Sequence, residues 1–255
     1  MTKGLDDLHP VLVHHIVNTL GWRSLRPLQS DAVEPLVAGH DAVLLAPTAG
    51  GKTEAACFPL LSAMEQHKWS GLSVIYVCPL KALLNNLLPR LETYASWLGR
   101  TVALWHGDAT PSARQRILRD PPDILLTTPE SLEAMLVSVK VEQQQLFSGL
   151  RAVVVDEVHA FAGDDRGWHL LAVLERLANV AGRQIQRIGL SATVGNPDDL
   201  LTWLQGSGPR RPPGASCRAR RLRCSRESQL GRRDRVGLRG FGSQRRDGDL
   251  NPAPR

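Results

Sequence analysis

The hydrophobic positions of the chain gather in six short runs: Ala42–Ala46, Leu72–Cys78, Thr101–Trp105, Asp123–Thr127, Arg151–Asp156 and Gln186–Leu190. Their length and their content of Val, Ile and Leu predict buried strands. Most runs are followed by apolar residues at helical spacing, as from Leu83 to about Trp97. Two further helices are predicted ahead of and around the first strand. One spans Pro10 to Leu20, with Val11, Leu12, Ile16, Val17 and Leu20 on one face. The other spans Ser30 to Ala38. Strands alternating with helices point to an α/β fold with a mostly parallel sheet covered on both faces. In such sheets ligands gather at the carboxyl ends of the strands. The polar clusters of this sequence stand at those ends.

The first is Ala46-Pro-Thr-Ala-Gly-Gly-Lys-Thr53, between the first strand and a helix that opens near Glu54. Gly50 and Gly51 let backbone N–H groups close around phosphate oxygens, and the helix N-terminus adds a positive dipole end. Lys52 supplies a charge for the outer phosphates, and the Thr53 hydroxyl suits Mg²⁺. Thr48 and Ala49 complete the loop. The usual phosphate-loop pattern has glycine where Ala46 stands. The second cluster is Asp156-Glu157-Val158-His159, at the end of the Arg151–Asp156 run. Two adjacent carboxylates there divide the work of a phosphate-loop enzyme. Asp156 serves the metal and Glu157 orients the attacking water, while His159 couples the site to its surroundings. Gln29 lies upstream, and its amide offers a donor and an acceptor side by side, the pattern that pairs with adenine.

Taken in order, Ala46–Thr53, Pro79-Leu-Lys-Ala-Leu83, Thr127-Thr-Pro-Glu-Ser131, Asp156–His159 and Ser191-Ala-Thr193 resemble motifs I, Ia, Ib, II and III of superfamily 2 helicases. The chain is similar to the first RecA-like domain of a DExH-box helicase, and within that group to the large helicase-related (Lhr-type) proteins. Pro122–Leu132, Arg166-Gly167 with Leu174–Leu177, and Gly189–Val194 carry the narrower likeness. The resemblance covers about residues 8–206 and implies a RecA-like three-layer sandwich, ATP and Mg²⁺ as cofactors, and single-stranded DNA or RNA as partner. It implies that Gly51, Lys52 and Thr53 bind phosphates and Mg²⁺, and that Gln29 reads adenine with Trp22 near the base. Asp156 would be the metal residue and Glu157 the water residue. Ser191 and Thr193 would link hydrolysis to strand movement. Pro79, Lys81, Gly107, Thr128 and Pro129 would line the nucleic-acid path through backbone contacts. Ala49 stands where many relatives have glycine.

Charge divides the chain in two. Of its 31 Lys and Arg, fourteen, all Arg, fall from Ser207 onward beside only four of the 25 acids. Residues 1–206 therefore carry 17 basic and 21 acidic residues, net −4, against +6 for the whole. The stretch 207–255 mixes Arg, Gly, Ser and Pro without apolar periodicity, and disorder is expected there. It shows none of the later helicase motifs of a second RecA-like domain. Two origins stay open: an out-of-frame reading that truncates a helicase after motif III, or a genuine basic tail that binds nucleic acid electrostatically. The second RecA-like domain would then come from elsewhere.

Composition narrows the rest. A hydrophobic fraction of 42% supports a packed core. The N-terminus carries no apolar leader, and no apolar run approaches a membrane span. Cys57, Cys78, Cys217 and Cys224 have neither metal-ligand nor redox spacing. The first two lie in apolar runs and are expected as buried thiols, which fits a cytoplasmic protein. A nucleotide-binding fragment without turnover and an unrelated phosphate-loop ATPase or kinase are the alternatives. The joint presence of the Thr-Pro-Glu-Ser and Ser-Ala-Thr segments disfavours the latter.

Overall fold

The computed structural model describes residues 4–47, 49–163, 165–192, 196–206 and 222–223. The chain divides into a unit of residues 1–224 and one of 225–255, the second lying outside the described residues. The expectation of disorder over 207–255 likewise falls outside them, except at Leu222–Arg223.

The helices and strands alternate as the pattern predicts. Helices α1 (Pro10–Asn18) and α2 (Pro27–Val37) lead into strand β1 (Ala42–Leu45) and helix α3 (Lys52–Gln66). Then follow β2 (Val74–Val77), α4 (Lys81–Ser96), β3 (Val102–Trp105), α5 (Pro111–Arg119), β4 (Ile124–Thr127), α6 (Pro129–Val137) and α7 (Gln143–Phe147). Strand β5 (Ala152–Val155), a short 3-10 turn (Val158–Ala160), α8 (Asp165–Ala181), β6 (Gln186–Ser191) and α9 (Pro197–Gln205) complete the domain. A two-residue strand, β7 (Leu222–Arg223), adds beside β1.

The sheet runs β3-β4-β2-β5-β6-β1-β7, and each of its pairings is parallel. Alternate strand residues serve opposite layers. Leu44, Tyr76, Leu126, Val154 and Leu190 pack with α1–α4, whereas Val43, Ile75, Leu125 and Val153 pack with α5–α9. Burial on both faces explains why the strands read as continuous apolar runs rather than alternating ones.

Helix α2 begins earlier than the apolar spacing indicates. Pro27 occupies its first turn, where a missing N–H is harmless. The Gln29 side chain accepts from the Arg26 N–H at 2.9 Å, the N3 half of a capping box, while the Arg26 guanidinium has no acceptor to supply the other half. Gln29 is thus part of the helix start. Cys57 and Cys78 are buried free thiols. Burial pushes Cys78 up to about 12 and Cys57 further, so neither forms a reactive thiolate near neutral pH. No helix among the described residues is long and apolar enough to cross a membrane.

Candidate functional site

Strand β1 leaves the sheet at Ala46, and the chain returns into α3 at Lys52. The turn needs its glycines. Gly51 sits in the left-handed region at φ +80°, and a Cβ there would meet Gln29 Nε2 at 2.5 Å. A Cβ on Gly50 would fall 2.6 Å from that of Ala46 and 2.8 Å from the Pro47 carbonyl oxygen. Ala49 is left-handed as well, at φ +62°, a conformation in which glycine is the cheaper residue. Arg26 holds it there, donating through Nη1 to the Ala49 carbonyl at 2.6 Å. No side chain caps α3 at Gly51, so the first N–H groups of the helix remain for a ligand. Lys52 Nζ donates to the Ala46 carbonyl at 3.0 Å, which draws its charge across the mouth of the loop and leaves further N–H bonds to give. Thr48 lies outside the described residues.

The acidic pair follows β5. Asp156 donates its N–H to the Val77 carbonyl at 2.8 Å, so β2 fixes its backbone. Its Oδ1 accepts from the Glu157 N–H at 2.9 Å, and its Oδ2 accepts from the Tyr76 hydroxyl at 2.7 Å. Tyr76 was not singled out by the sequence reading. The available signal was a phenol inside an apolar strand, since a buried tyrosine hydroxyl needs a partner. Burial first, and then the Asp156 charge, push this phenol well above its usual range, while a hydrogen bond with Thr53 opposes the shift.

Glu157 adopts φ 49°, ψ 41°, a left-handed conformation that costs a side-chain-bearing residue about 1–2 kcal/mol. His159 Nδ1 lies 3.4 Å from Glu157 Oε2 and 3.0 Å from the Ser191 hydroxyl. One ring thus joins the acidic pair to the end of β6. Thr193 lies outside the described residues.

Loop and acids face one cleft of about 440 Å³. Trp22, Gln29, Gly50, Gly51, Lys52 and Thr53 line it from one side, with Asp156 and Glu157 at its base. Gln29 is 1% exposed, and both ends of its amide are engaged. Besides accepting from Arg26, it donates to the Gly51 carbonyl at 3.3 Å. A wall the sequence reading missed comes from α4, with Leu83, Asn86, Leu87 and Arg90. Arg90 lies 3.5 Å from Glu54, a buried carboxylate that also accepts from the Tyr94 hydroxyl at 3.1 Å. An arginine and a tyrosine thereby offset a negative charge one residue beyond the phosphate loop.

Among the described residues no cluster of three or more His, Cys, Asp or Glu could hold a metal. The Thr53 hydroxyl and the Asp156 carboxylate are oxygen donors that both line the cleft.

The remaining candidates stand on the same edge of the sheet, past the ends of β2, β3 and β4. Lys81 Nζ pairs with Asp108 at 2.8 Å in an exposed salt bridge and lies 3.2 Å from where a Cβ of Gly107 would be. Pro79 is half-buried beside it. Thr128 is 5% exposed, and its hydroxyl caps α6, accepting from the Ser131 N–H at 3.3 Å. Pro129 is buried in the first turn of that helix. Lys81 and Gly107 are thus brought together at the surface, while the Thr128 side chain and Pro129 are committed to the helix start.

The family model for DEAD/DEAH box helicases matches residues 26–200. The chain belongs to the DEAD/DEAH box helicases. The Lhr helicase of Mycolicibacterium smegmatis is 37% identical over 206 residues, which cover 75% of this chain and 14% of that protein. The Lhr helicase/uracil glycosylase of Escherichia coli is 36% identical over 207 residues, 71% of this chain and 13% of that protein. A solved structure of the Mycobacterium smegmatis helicase Lhr bound to ssDNA and AMP-PNP superposes with a TM-score of 0.69 at 35% identity. It covers 82% of this chain and 28% of that one. This helicase domain therefore has the RecA-like fold and Lhr-type sequence, and spans a small part of the proteins it matches.

Proposed function

We propose that this domain binds ATP with Mg²⁺ in the cleft between the phosphate loop and Asp156-Glu157, and binds single-stranded nucleic acid along the ends of β2, β3 and β4. The observation that carries the reading is the shared cleft. Uncapped N–H groups, Lys52, Thr53, Asp156 and Glu157, distant in sequence, line one cavity. Lys52 holds the outer phosphates, and Thr53 and Asp156 hold Mg²⁺, which neutralises phosphate charge when bound. Glu157, beside Asp156 in the same cleft, orients the attacking water. His159 and Ser191 carry the state of the acidic pair to the end of β6, and Thr193 is assigned the same task. Pro79, Lys81, Gly107, Thr128 and Pro129 form the strand path, which is consistent with the ssDNA named for the Lhr structure. Gln29, already bonded to Gly51, senses the nucleotide by trading one of its present partners for the base. Buried free thiols at Cys57 and Cys78 suit a reducing cytoplasm.

Hydrolysis by this domain alone is slow in this reading, and strand separation absent. The basic residues lining the cleft are Arg26, Lys52 and Arg90. Arg26 and Arg90 are occupied with Ala49 and Glu54. A cation approaching from a second RecA-like domain is worth about 10³–10⁵ in rate in related phosphate-loop enzymes. Titration of the purified chain with a fluorescent ATP analogue, with and without Mg²⁺, tests the binding. Absence of Mg²⁺-dependent binding overturns the reading. Steady-state hydrolysis and strand displacement by the same chain test the remainder, and robust displacement refutes the need for a second domain.

A further inference from the structure

Tyr76 is 1% exposed, in the layer between the sheet and α1–α4. Its strand neighbours are apolar, so its hydroxyl must find a partner inside the protein or stay buried and unsatisfied, which is costly. It finds Asp156, one residue past the end of the adjacent strand. The β2–β5 register places Tyr76 opposite Val154 and Val77 opposite Val155. The next backbone bond ties the Asp156 N–H to Val77. Strand β2 therefore grips Asp156 twice, through the backbone and through the phenol.

The geometry points to Tyr76 as the positioning residue for one cation ligand, Asp156: by donating to Asp156 Oδ2 it holds the carboxylate ready for the Mg²⁺ of a bound nucleotide. With the Glu157 N–H on Oδ1, each carboxylate oxygen has one donor, and the plane of the group is fixed. Lone pairs remain on both oxygens for a cation or its waters. Partners of this kind, one shell out from a metal, typically change affinity about 10–100-fold when removed. This inference rests on the proposed Mg²⁺–nucleotide site.

The test uses the full chain with Mn²⁺ and ADP as probes, reading free Mn²⁺ by electron paramagnetic resonance. Tyr76→Phe removes one oxygen. It is expected to weaken Mn²⁺ binding in the presence of ADP about tenfold, while metal-free ADP binding in EDTA stays within about twofold. In an Asp156→Asn background the same change is expected to do nothing further, because the residue acts through Asp156. Unaltered Mn²⁺ affinity, or equal losses in both backgrounds, overturns the proposal in favour of a packing role. Should Tyr76→Phe not fold, the native sequence still answers. The chain has two tyrosines, so fluorotyrosine labelling gives two ¹⁹F resonances, assigned with Tyr94→Phe. Mg²⁺ added to the ADP complex is expected to shift the Tyr76 signal, and an unmoved signal refutes the proposal. Failure of the native chain to bind ADP at all instead removes the nucleotide site itself.

Discussion

Ser191 Oγ lies 3.0 Å from His159 Nδ1, a hydrogen bond between the last residue of β6 and the 3-10 turn after β5. The same nitrogen is 3.4 Å from Glu157. Ser191 is fully buried, while the His159 ring is about two-fifths exposed, so the bond links the buried end of β6 to a surface turn. The turn carrying Glu157 is thereby anchored to the end of β6.

Ser191→Ala removes that anchor. Nucleotide affinity is expected to stay within about twofold, and stability to fall by about 0.5–1 kcal/mol as a partly buried hydrogen bond is lost. Urea unfolding with a parallel nucleotide titration measures both. A large loss of affinity with unchanged stability contradicts the arrangement.

Lys52→Ala and Glu157→Gln separate binding from chemistry. Losing a charge-assisted bond costs about 1.5–3 kcal/mol, so Lys52→Ala should weaken ATP binding roughly 10–100-fold. Glu157→Gln keeps the shape and should leave binding intact while lowering any hydrolysis at least about 10²-fold. Undiminished turnover in Glu157→Gln takes the water-orienting role away from that residue.

Gly51→Ala puts a methyl group 2.5 Å from Gln29 Nε2 at a φ of +80°. The left-handed conformation alone costs about 1–2 kcal/mol. A drop of at least about 1 kcal/mol in stability and a weakened nucleotide complex are expected, read by urea unfolding and titration. A neutral substitution would mean that loop and Gln29 are not in contact.

Asp108→Asn tests the strand path. The hydrogen bond and charge of Lys81 hold the Asp108 carboxyl below its usual range. Because the folded value is the lower one, the pair is present above the unfolded pKa and is lost as pH falls through the folded one. Near neutral pH it is intact, and a nucleic-acid phosphate must compete with Asp108 for Lys81. Neutralising Asp108 should tighten single-strand binding about threefold and steepen its salt dependence by about 0.7 in the log–log slope, one phosphate contact. Fluorescence anisotropy across a salt series reads both, and unchanged binding removes Lys81 from the path.

Much of this was legible because phosphate chemistry constrains neighbours along the chain. Gly50 to Thr53 must be contiguous to wrap one anion, and Asp156-Glu157 must end one strand, so both announced themselves. The parallel sheet was readable because burial on both faces leaves uninterrupted apolar runs. What escaped depends on pairing between strands and helices. Tyr76 meets Asp156 only through the β2–β5 register, and Arg90 reaches Glu54 only because α4 packs beside α3. No local spacing encodes either contact. The start of α2 was misplaced for a local reason: an apolar-period criterion ignores Pro27 and the Gln29 cap, which extend the helix toward its N-terminus.

Strand β1, which presents the phosphate loop, pairs with β6 through Ala42–Ile188 to Leu45–Ser191, and its other neighbour is β7. A ribosome delivers β1 early and β6 late. During synthesis the loop sequence therefore exists long before the strand that steadies it, and loop closure over such a span is slow compared with local helix formation. Nucleotide can act as a ligand for folding only once β6 has emerged, so nascent chains stalled short of residue 186 should be protease-labile whether or not ATP is supplied.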